Sequence, residues 1–421
     1  MQAHKEKEGT LSTNVPASEA PVIVYGVDTQ IGLNIIRELG KRGVKVIAIG
    51  KKPGAVGLYS RYVHQRHVLN NLQEEERIQA LNDIQAQSGA RFLLCVSEDD
   101  ILFFNLVATR LTGLTPLVPG LDEMAKVLDK QQTMTAAEAV GIEVPRSFQL
   151  DAYEKLEEII GGLRFPAILK WANPHDVMKP AGNLGIKIEK LRYVYSADEL
   201  RQVMAGFIPL GHYPLIQEYC AGHGLGQFFF IHKGQDLLRF QHRRIHEWPP
   251  EGGYSSLCEA IPLTQFQALQ EKSLALLRAL NWTGVAMVEY RYDPKENRAV
   301  LMEINGRFWG SYPLAYHANA PFAWFSYQVL GLGKTPRQEP LNEHIRCRNL
   351  LVELKRLYRI CFRADLIQDK SRHFSRLATF ARVFTDFFSP STRYYLFDWR
   401  DPKPAMMDLL GMLKKLLRIG G

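Results

Sequence analysis

Cysteine is scarce in this 421-residue chain, and the few present do not pair in sequence. Five occur, at Cys95, Cys220, Cys258, Cys347 and Cys361, none in a Cys-x-x-Cys pair. An odd, dispersed set argues against a disulfide framework or a thiolate zinc site and suits a reducing cytoplasm. Long apolar runs are also missing. No stretch of about 18 apolar residues occurs, so no membrane-spanning helix is expected. Residues 1–20 lack an apolar signal-peptide core and read as a disordered lead-in. A Gly-x-Gly-x-x-Gly fingerprint is absent. Only Gly26 and Gly32 stand near the first turn, which weakens the case for dinucleotide binding. Over the first 340 residues neither sign of charge dominates, with 36 Lys and Arg against 36 Asp and Glu. Residues 341–421 hold 16 against 8, the whole net charge of +8. The neutral body is therefore not expected to bind nucleic acid.

Hydrophobic residues make up 46% and charged residues 23%, ordinary values for a folded chain long enough for two or three domains. The stretch "PVIVYGVDTQIGLNIIRELGKRGVKVIAIG" reads strand, turn, helix, strand, and a second such unit ends in "RFLLCVSEDDILFF". This predicts an open Rossmann-like α/β domain over 21–119. Ligands in such sheets lie at strand carboxyl ends, which marks Asp28, Ser97, Glu98 and Asp99 as co-substrate candidates. Helix capping is the commoner use of such residues. From residue 120 helices and strands mix, giving an α+β domain to about 335 with a subdomain near 165–217. A mainly helical, basic extension follows over 336–421.

The stretch "LMEINGRFWGS" predicts the second strand of a β-hairpin. Residues 285–292 form the first strand, 293–299 the loop and 300–305 the second. Side chains alternate along a strand. Leu301, Glu303 and Asn305 are thus expected on one face, with Glu289 opposite Glu303. Two facing carboxylates repel, and the surrounding Met, Ile, Trp and Phe suggest burial. A hard cation taking oxygen ligands would relieve them. Arg307 would then aim its donors at a transferring phosphoryl group. The plain alternative is a solvated sheet face.

Three further stretches suit a nucleotide. In "FPAILKW" an apolar strand ends on Lys170, within reach of a phosphate. Lys130, in "LDKQQTM", opens a helix, where the dipole disfavours a cation unless an anion is near. Both have a surface lysine as the alternative. "LIQEYCAGHG" supplies a hinge, Glu218, Tyr219 and Cys220, able to meet an adenine edge. In "KPAGNLGIK", Gly182 and Gly185 permit close approach to phosphates, with a plain turn competing.

The ordered set Lys130, Lys170, glycine loop, Glu218, Glu289, Glu303, Asn305 and Arg307 resembles the ATP-grasp superfamily. The resemblance is nearest to the carboxylate–amine ligase branch, similar to carbamoyl phosphate synthase and biotin carboxylase, and covers about residues 20–335. It implies an ATP-grasp fold behind an N-terminal pre-grasp domain. Lys130, Lys170, Gly182 and Gly185 would hold ATP phosphates, and Glu218, Tyr219 and Cys220 would read adenine. Glu289, Glu303 and Asn305 would ligate Mg²⁺, with Mn²⁺ as a substitute. Arg307, Arg243 and Arg244 would be catalytic, the last two meeting the carboxylate. The implied reaction joins a small carboxylate to an amine through an acyl phosphate. Carboxylation through carboxyphosphate and a non-catalytic nucleotide-binding regulator are the alternatives. A homo-oligomer remains open. So does peripheral membrane contact of a cytoplasmic protein through the apolar and basic faces of the last helix.

Overall fold

The computed structural model describes residues 20–171, 174–189 and 191–419. Apart from Ala20, the expected lead-in lies outside them. The chain divides into two units: one holds residues up to 118 together with Ala323–Arg337 and residues from Asp401 onward. The other holds Pro119–Phe322 and Gln338–Arg400. The expected separate extension over 336–421 is thus corrected, because its residues are shared between both units.

The first unit is built on five parallel strands: β1 (Val22–Tyr25), β2 (Val46–Gly50), β3 (Val63–Val68), β4 (Phe92–Cys95) and β5 (Thr115–Pro116). Their order is β3-β2-β1-β4-β5, the doubly wound order with its reversal between β1 and β4. β1, β2 and β4 are buried throughout, as apolar runs covered on both faces should be. Gly26 turns the chain after β1 at φ +83°, and a Cβ there would stand 3.0 Å from Val96. Thr29 then caps the helix Gln30–Gly40 by accepting from the Ile31 N–H. Two co-substrate candidates have local partners: Asp28 accepts from the Lys51 N–H at 2.9 Å, and Ser97 caps the helix Glu98–Val107. The helix Lys403–Ile419 also belongs here, and its side chains past Lys414 lie outside the described ones. Among the described residues no helix is long and apolar enough to cross a membrane.

The second unit contains two antiparallel layers. The smaller has β6 (Ser147–Phe148), β7 (Ala167–Lys170), β8 (Arg192–Val194) and β9 (Leu215–Glu218) in the order β6-β9-β7-β8. Alternate residues Ala167 and Leu169 of β7 point into a core with Ile216, Leu200 and Met204. The larger layer has β10 (His223–His232), β11 (Gln235–Trp248), β12 (Tyr254–Ala260), β13 (Gly284–Asp293), β14 (Arg298–Asn305), β15 (Arg346–Arg348) and β16 (Thr392–Tyr394). Their order is β14-β13-β10-β11-β12-β15-β16. The basic stretch expected to be mainly helical therefore also supplies two strands to this sheet. β15 pairs with β12, and β16 lies parallel to β15.

Two local expectations are overturned. "KPAGNLGIK" does not open with a glycine loop: Gly182 lies in the last turn of the helix Pro174–Asn183, and only Gly185, at φ +68°, lies beyond it. Strict alternation also fails on β14. Glu289 pairs with Glu303, but Tyr290 pairs with Leu301, so a bulge leaves Met302 as the extra residue. Leu301 consequently shares the face of Tyr290, opposite to that of Glu303.

Candidate active site

A cavity of about 410 Å³ lies between the two sheets of the second unit. β7 and β9 contribute Lys170 and Glu218, and Tyr219 and Cys220 follow directly. β11 contributes Arg244 and Glu247, β13 Glu289 and Arg291, and β14 Met302 and Glu303. Lys130, first residue of the helix Lys130–Ala139, completes the wall. Apolar strand residues anchor the layers, and polar residues at alternate positions project between them.

The two lysines are close enough to act on each other. Burial lowers the Lys170 pKa, and the charge of Lys130 lowers it further, against an opposing pull from Glu303. Like charges held together in a partly desolvated cavity call for an anion between them. On the facing sheet, burial raises the Glu289 pKa. Arg244 pulls it down, while Glu303 and Glu247 push it up. Arg244 Nη1 lies 2.6 Å from Glu289 Oε1 and donates to the Gly253 carbonyl at 2.7 Å. It also lies 3.5 Å from Glu247. An arginine, which sequence reasoning reserved for the carboxylate substrate, thus already faces Glu289. Glu303, expected to be buried, is exposed. The amide of Asn305 donates to Glu303 Oε1 at 2.9 Å, and Arg307 Nη2 donates to Asn305 Oδ1 at 2.7 Å. Glu303, Asn305 and Arg307 therefore form one hydrogen-bonded row.

Arg243 points away from this cavity. It pairs with Glu259, which also binds Arg346 Nε at 3.0 Å, and it lines a different pocket. Successive residues of β11 face opposite sides of the sheet, so adjacent arginines cannot share a site. Asn305, Arg307, Gly182 and Gly185 do not line the cavity either. Glu218 reaches it with its carboxylate engaged: Arg298 Nη1 donates at 2.8 Å and the Arg146 N–H at 3.3 Å. Burial acts to raise the Glu218 pKa, but these donors hold it below the usual value. Cys220 is pushed up to about 11 by burial, so its thiol stays protonated at neutral pH.

The family model for the carbamoyl-phosphate synthase L chain, ATP binding domain, matches residues 258–323, which span β13 and β14. The carbamoyl phosphate synthase large chain of Myxococcus xanthus (strain DK1622) is 23% identical over 322 residues, covering 72% of this chain and 28% of that one. The chain spans about a quarter of the length of the curated relatives it matches. A biotin carboxylase from Campylobacter jejuni, solved as a β-γ-ATP complex, superposes with a TM-score of 0.59 at 16% identity. The match covers 78% of this chain and 75% of that one. An L-amino acid ligase from Bacillus licheniformis gives 0.52 at 16%, covering 74% of each chain. In sequence and in fold this chain is similar to ATP-grasp proteins. Its matches support the carboxylate–amine ligase branch of that superfamily.

Among the described residues no three His, Cys, Asp or Glu side chains gather as a ready metal cluster. The facing carboxylates Glu289 and Glu303 suit Mg²⁺, which takes few protein ligands and relies on phosphates and water for the rest, whereas Asn305 turns its amide nitrogen to Glu303 and its oxygen to Arg307. Burial first, and then the neighbouring Glu303, raise the Glu289 pKa against the pull of Arg244. Several cavity residues escaped the sequence reading: Tyr193, Glu247, Glu251 and Arg291. Period-two alternation on β8 and β13 would have flagged Tyr193 and Arg291 as facing residues, whereas Glu247, three residues from Arg244, reaches the same side only through the irregular register of β11 near His246. Glu251 sits in the turn before β12, where no periodicity points to it.

Proposed function

We propose that this protein is an ATP-grasp enzyme that activates a carboxylate with ATP and joins it to an amine. The observation that carries the reading is one cavity with paired lysines on one side and the Glu289–Glu303 pair on the other. The units correspond to a pre-grasp domain and an ATP-grasp domain whose smaller sheet is the lid. Lys130 and Lys170 hold the nucleotide phosphates as point charges. The Tyr219–Cys220 backbone meets the adenine, and Glu218 acts through Arg298 to fix that turn. Glu289, Glu303 and Asn305 would hold Mg²⁺ or Mn²⁺, which when bound supplies charge neutralisation between phosphates. Arg244, paired with Glu289, would turn to the substrate carboxylate, and Arg307, joined to Asn305 but off the cavity wall, would reach the transferring phosphoryl group.

In the first step a carboxylate oxygen attacks the γ-phosphorus and the bond to the β–γ bridging oxygen breaks, releasing ADP. The amine nitrogen then attacks the acyl carbon and loses a proton. The carbon–oxygen bond to phosphate breaks, leaving an amide. Positioning and fixed charge carry such a reaction. The test incubates the protein with ATP, Mg²⁺ and a panel of amino acids and short peptides, reading phosphate release and product mass. The expected product weighs the sum of both substrates less one water. Phosphate release that depends on bicarbonate and yields a carboxylated product would favour the carboxylase reading. Absence of ADP despite ATP binding would favour a regulator.

A further inference from the structure

Residues 367–372 lie outside the stretch that resembles ATP-grasp proteins, yet they bind two residues of the cavity wall, Tyr219 and Glu251, and two beside it, Tyr195 and Gly222. At the hinge, the Tyr219 hydroxyl donates to Asp369 Oδ2 at 2.8 Å, and Arg372 Nη2 donates to the Gly222 carbonyl at 2.7 Å. At the lid, the Tyr195 hydroxyl donates to the Gln368 carbonyl at 3.1 Å and accepts from the Lys370 N–H at 2.7 Å. On the floor, the Gln368 N–H donates to Glu251 Oε1 at 3.1 Å.

Asp369 is fully buried. Its Oδ1 accepts from the Ser371 N–H at 3.0 Å, and Arg372 Nε stands 3.5 Å from Oδ2. A buried carboxylate so fully engaged fixes the direction of every group it binds. Gly222 has no freedom of its own, since at φ +95° a Cβ would fall 1.9 Å from the Tyr292 carbonyl. Residues 219–222 are thus pinned at both ends, by Asp369 at one and Arg372 at the other. Resting on the reading of this cavity as the nucleotide site, we infer that Asp369 and Arg372 are positioning residues. They hold the Tyr219–Gly222 backbone in the geometry that receives the purine, although they come from about 150 positions along the chain.

The experiment measures ATP binding to the full chain by calorimetry, with melting temperature alongside. Wild type, Asp369→Ala, Asp369→Asn, Tyr219→Phe and the Tyr219→Phe/Asp369→Asn double variant are compared. Asp365→Ala, on the surface beyond this network, serves as control. Asp369→Ala and Tyr219→Phe should each weaken ATP about tenfold. Asp369→Asn, which keeps an acceptor for the phenol, should recover part of the loss. The double variant should lose less than the two single losses added, because the two side chains share one bond. In turnover, KM for ATP should rise by a larger factor than kcat falls. If Asp369→Ala does not fold, Tyr219→Phe alone decides, as it removes one oxygen from a half-buried ring. Wild-type ATP affinity in a folded Tyr219→Phe would overturn the inference, as would lower melting temperatures with unchanged affinity. If wild type itself binds no ATP, the nucleotide reading fails first and the inference falls with it.

Discussion

Arg243 and Arg244 are neighbours in sequence with opposite surroundings. The Arg243 side chain is 51% exposed and paired with Glu259, whereas that of Arg244 is 10% exposed between Glu289 and Glu247. An exposed pair contributes at most about 1 kcal/mol. Breaking a buried one leaves an unpaired charge and costs about 3–5 kcal/mol. Arg243→Ala should therefore barely move the urea midpoint, and Arg244→Ala should lower it clearly. Equal shifts would remove the distinction drawn from the β11 faces. Glu303 gives the complementary case. Its carboxylate is exposed, so Glu303→Gln should keep the wild-type midpoint while turnover with ATP nearly vanishes. Undiminished turnover at the same Mg²⁺ concentration would remove Glu303 from the site. At this scale the sequence made Glu289, Glu303 and the two lysines legible, because each follows from strand alternation or helix position within a few residues. It could not reveal that Arg244 faces Glu289 or that Arg298 holds Glu218. Those contacts join residues 45 and 80 positions apart, and local pattern carries no such information.

Elements explain where local patterns misled. Folding the 285–305 hairpin about Glu296 places Glu289 opposite Glu303, as observed. Near the turn, however, the register runs Asp293 to Arg298 and Tyr290 to Leu301, and only the bulge at Met302 restores the carboxylate pair. Bulges leave no signature in alternation, so Leu301 could not be assigned its face. "KPAGNLGIK" misled because glycine density suggests a loop, whereas the chain winds it largely into helix. Gly182 is helical, and a Cβ added there would meet no atom within 4 Å, so it should tolerate alanine and gain up to about 1 kcal/mol. Gly185→Ala at φ +68° should lose about 1 kcal/mol. Denaturation midpoints check both signs, and a large drop in ATP affinity for Gly182→Ala would return this glycine to the phosphates. The lysines add a pH dependence. Burial, then Lys130, lowers the Lys170 pKa below the usual lysine value of 10.5. Without nucleotide, the unfolded chain holds this proton to higher pH than the folded one. Stability from this group thus rises with pH between the folded and unfolded values. Bound phosphates favour the protonated form, so ATP binding should take up a proton and weaken as pH rises through that same window. Calorimetry in two buffers of different ionisation enthalpy reads the uptake, and Lys170→Met should abolish it.

For the whole molecule, the basic C-terminal stretch was legible as a charge imbalance but not as a structural part. Arg348 and Arg356 of that stretch are buried, Arg348 against the ring of Phe387 at 4.6 Å, so part of the excess serves the second unit's interior. The last segment serves the first unit instead. Asp401 is 1% exposed and sits in a cage from that unit. Arg37 Nε lies 3.0 Å from its carboxylate, the Ser60 hydroxyl donates at 2.7 Å and the Arg61 N–H at 2.8 Å. Arg37 Nη2 also donates to the Asp401 carbonyl at 2.9 Å, and Arg37 is fully buried. Removing the Asp401 carboxylate breaks this buried ion pair, at a cost of about 3–5 kcal/mol. Asp401→Ala, or a chain ending at Arg400, should therefore loosen the first unit. Amide exchange should quicken in β1 and β2, beside the helix that carries Arg37, and stay unchanged in β10 of the second unit. Asp401→Asn, which keeps acceptors for Ser60 and Arg61, should lose less than Asp401→Ala. Equal acceleration in β1 and β10 would mean that the end of the chain steadies the molecule as a whole, and the assignment of Asp401 to one unit would be wrong.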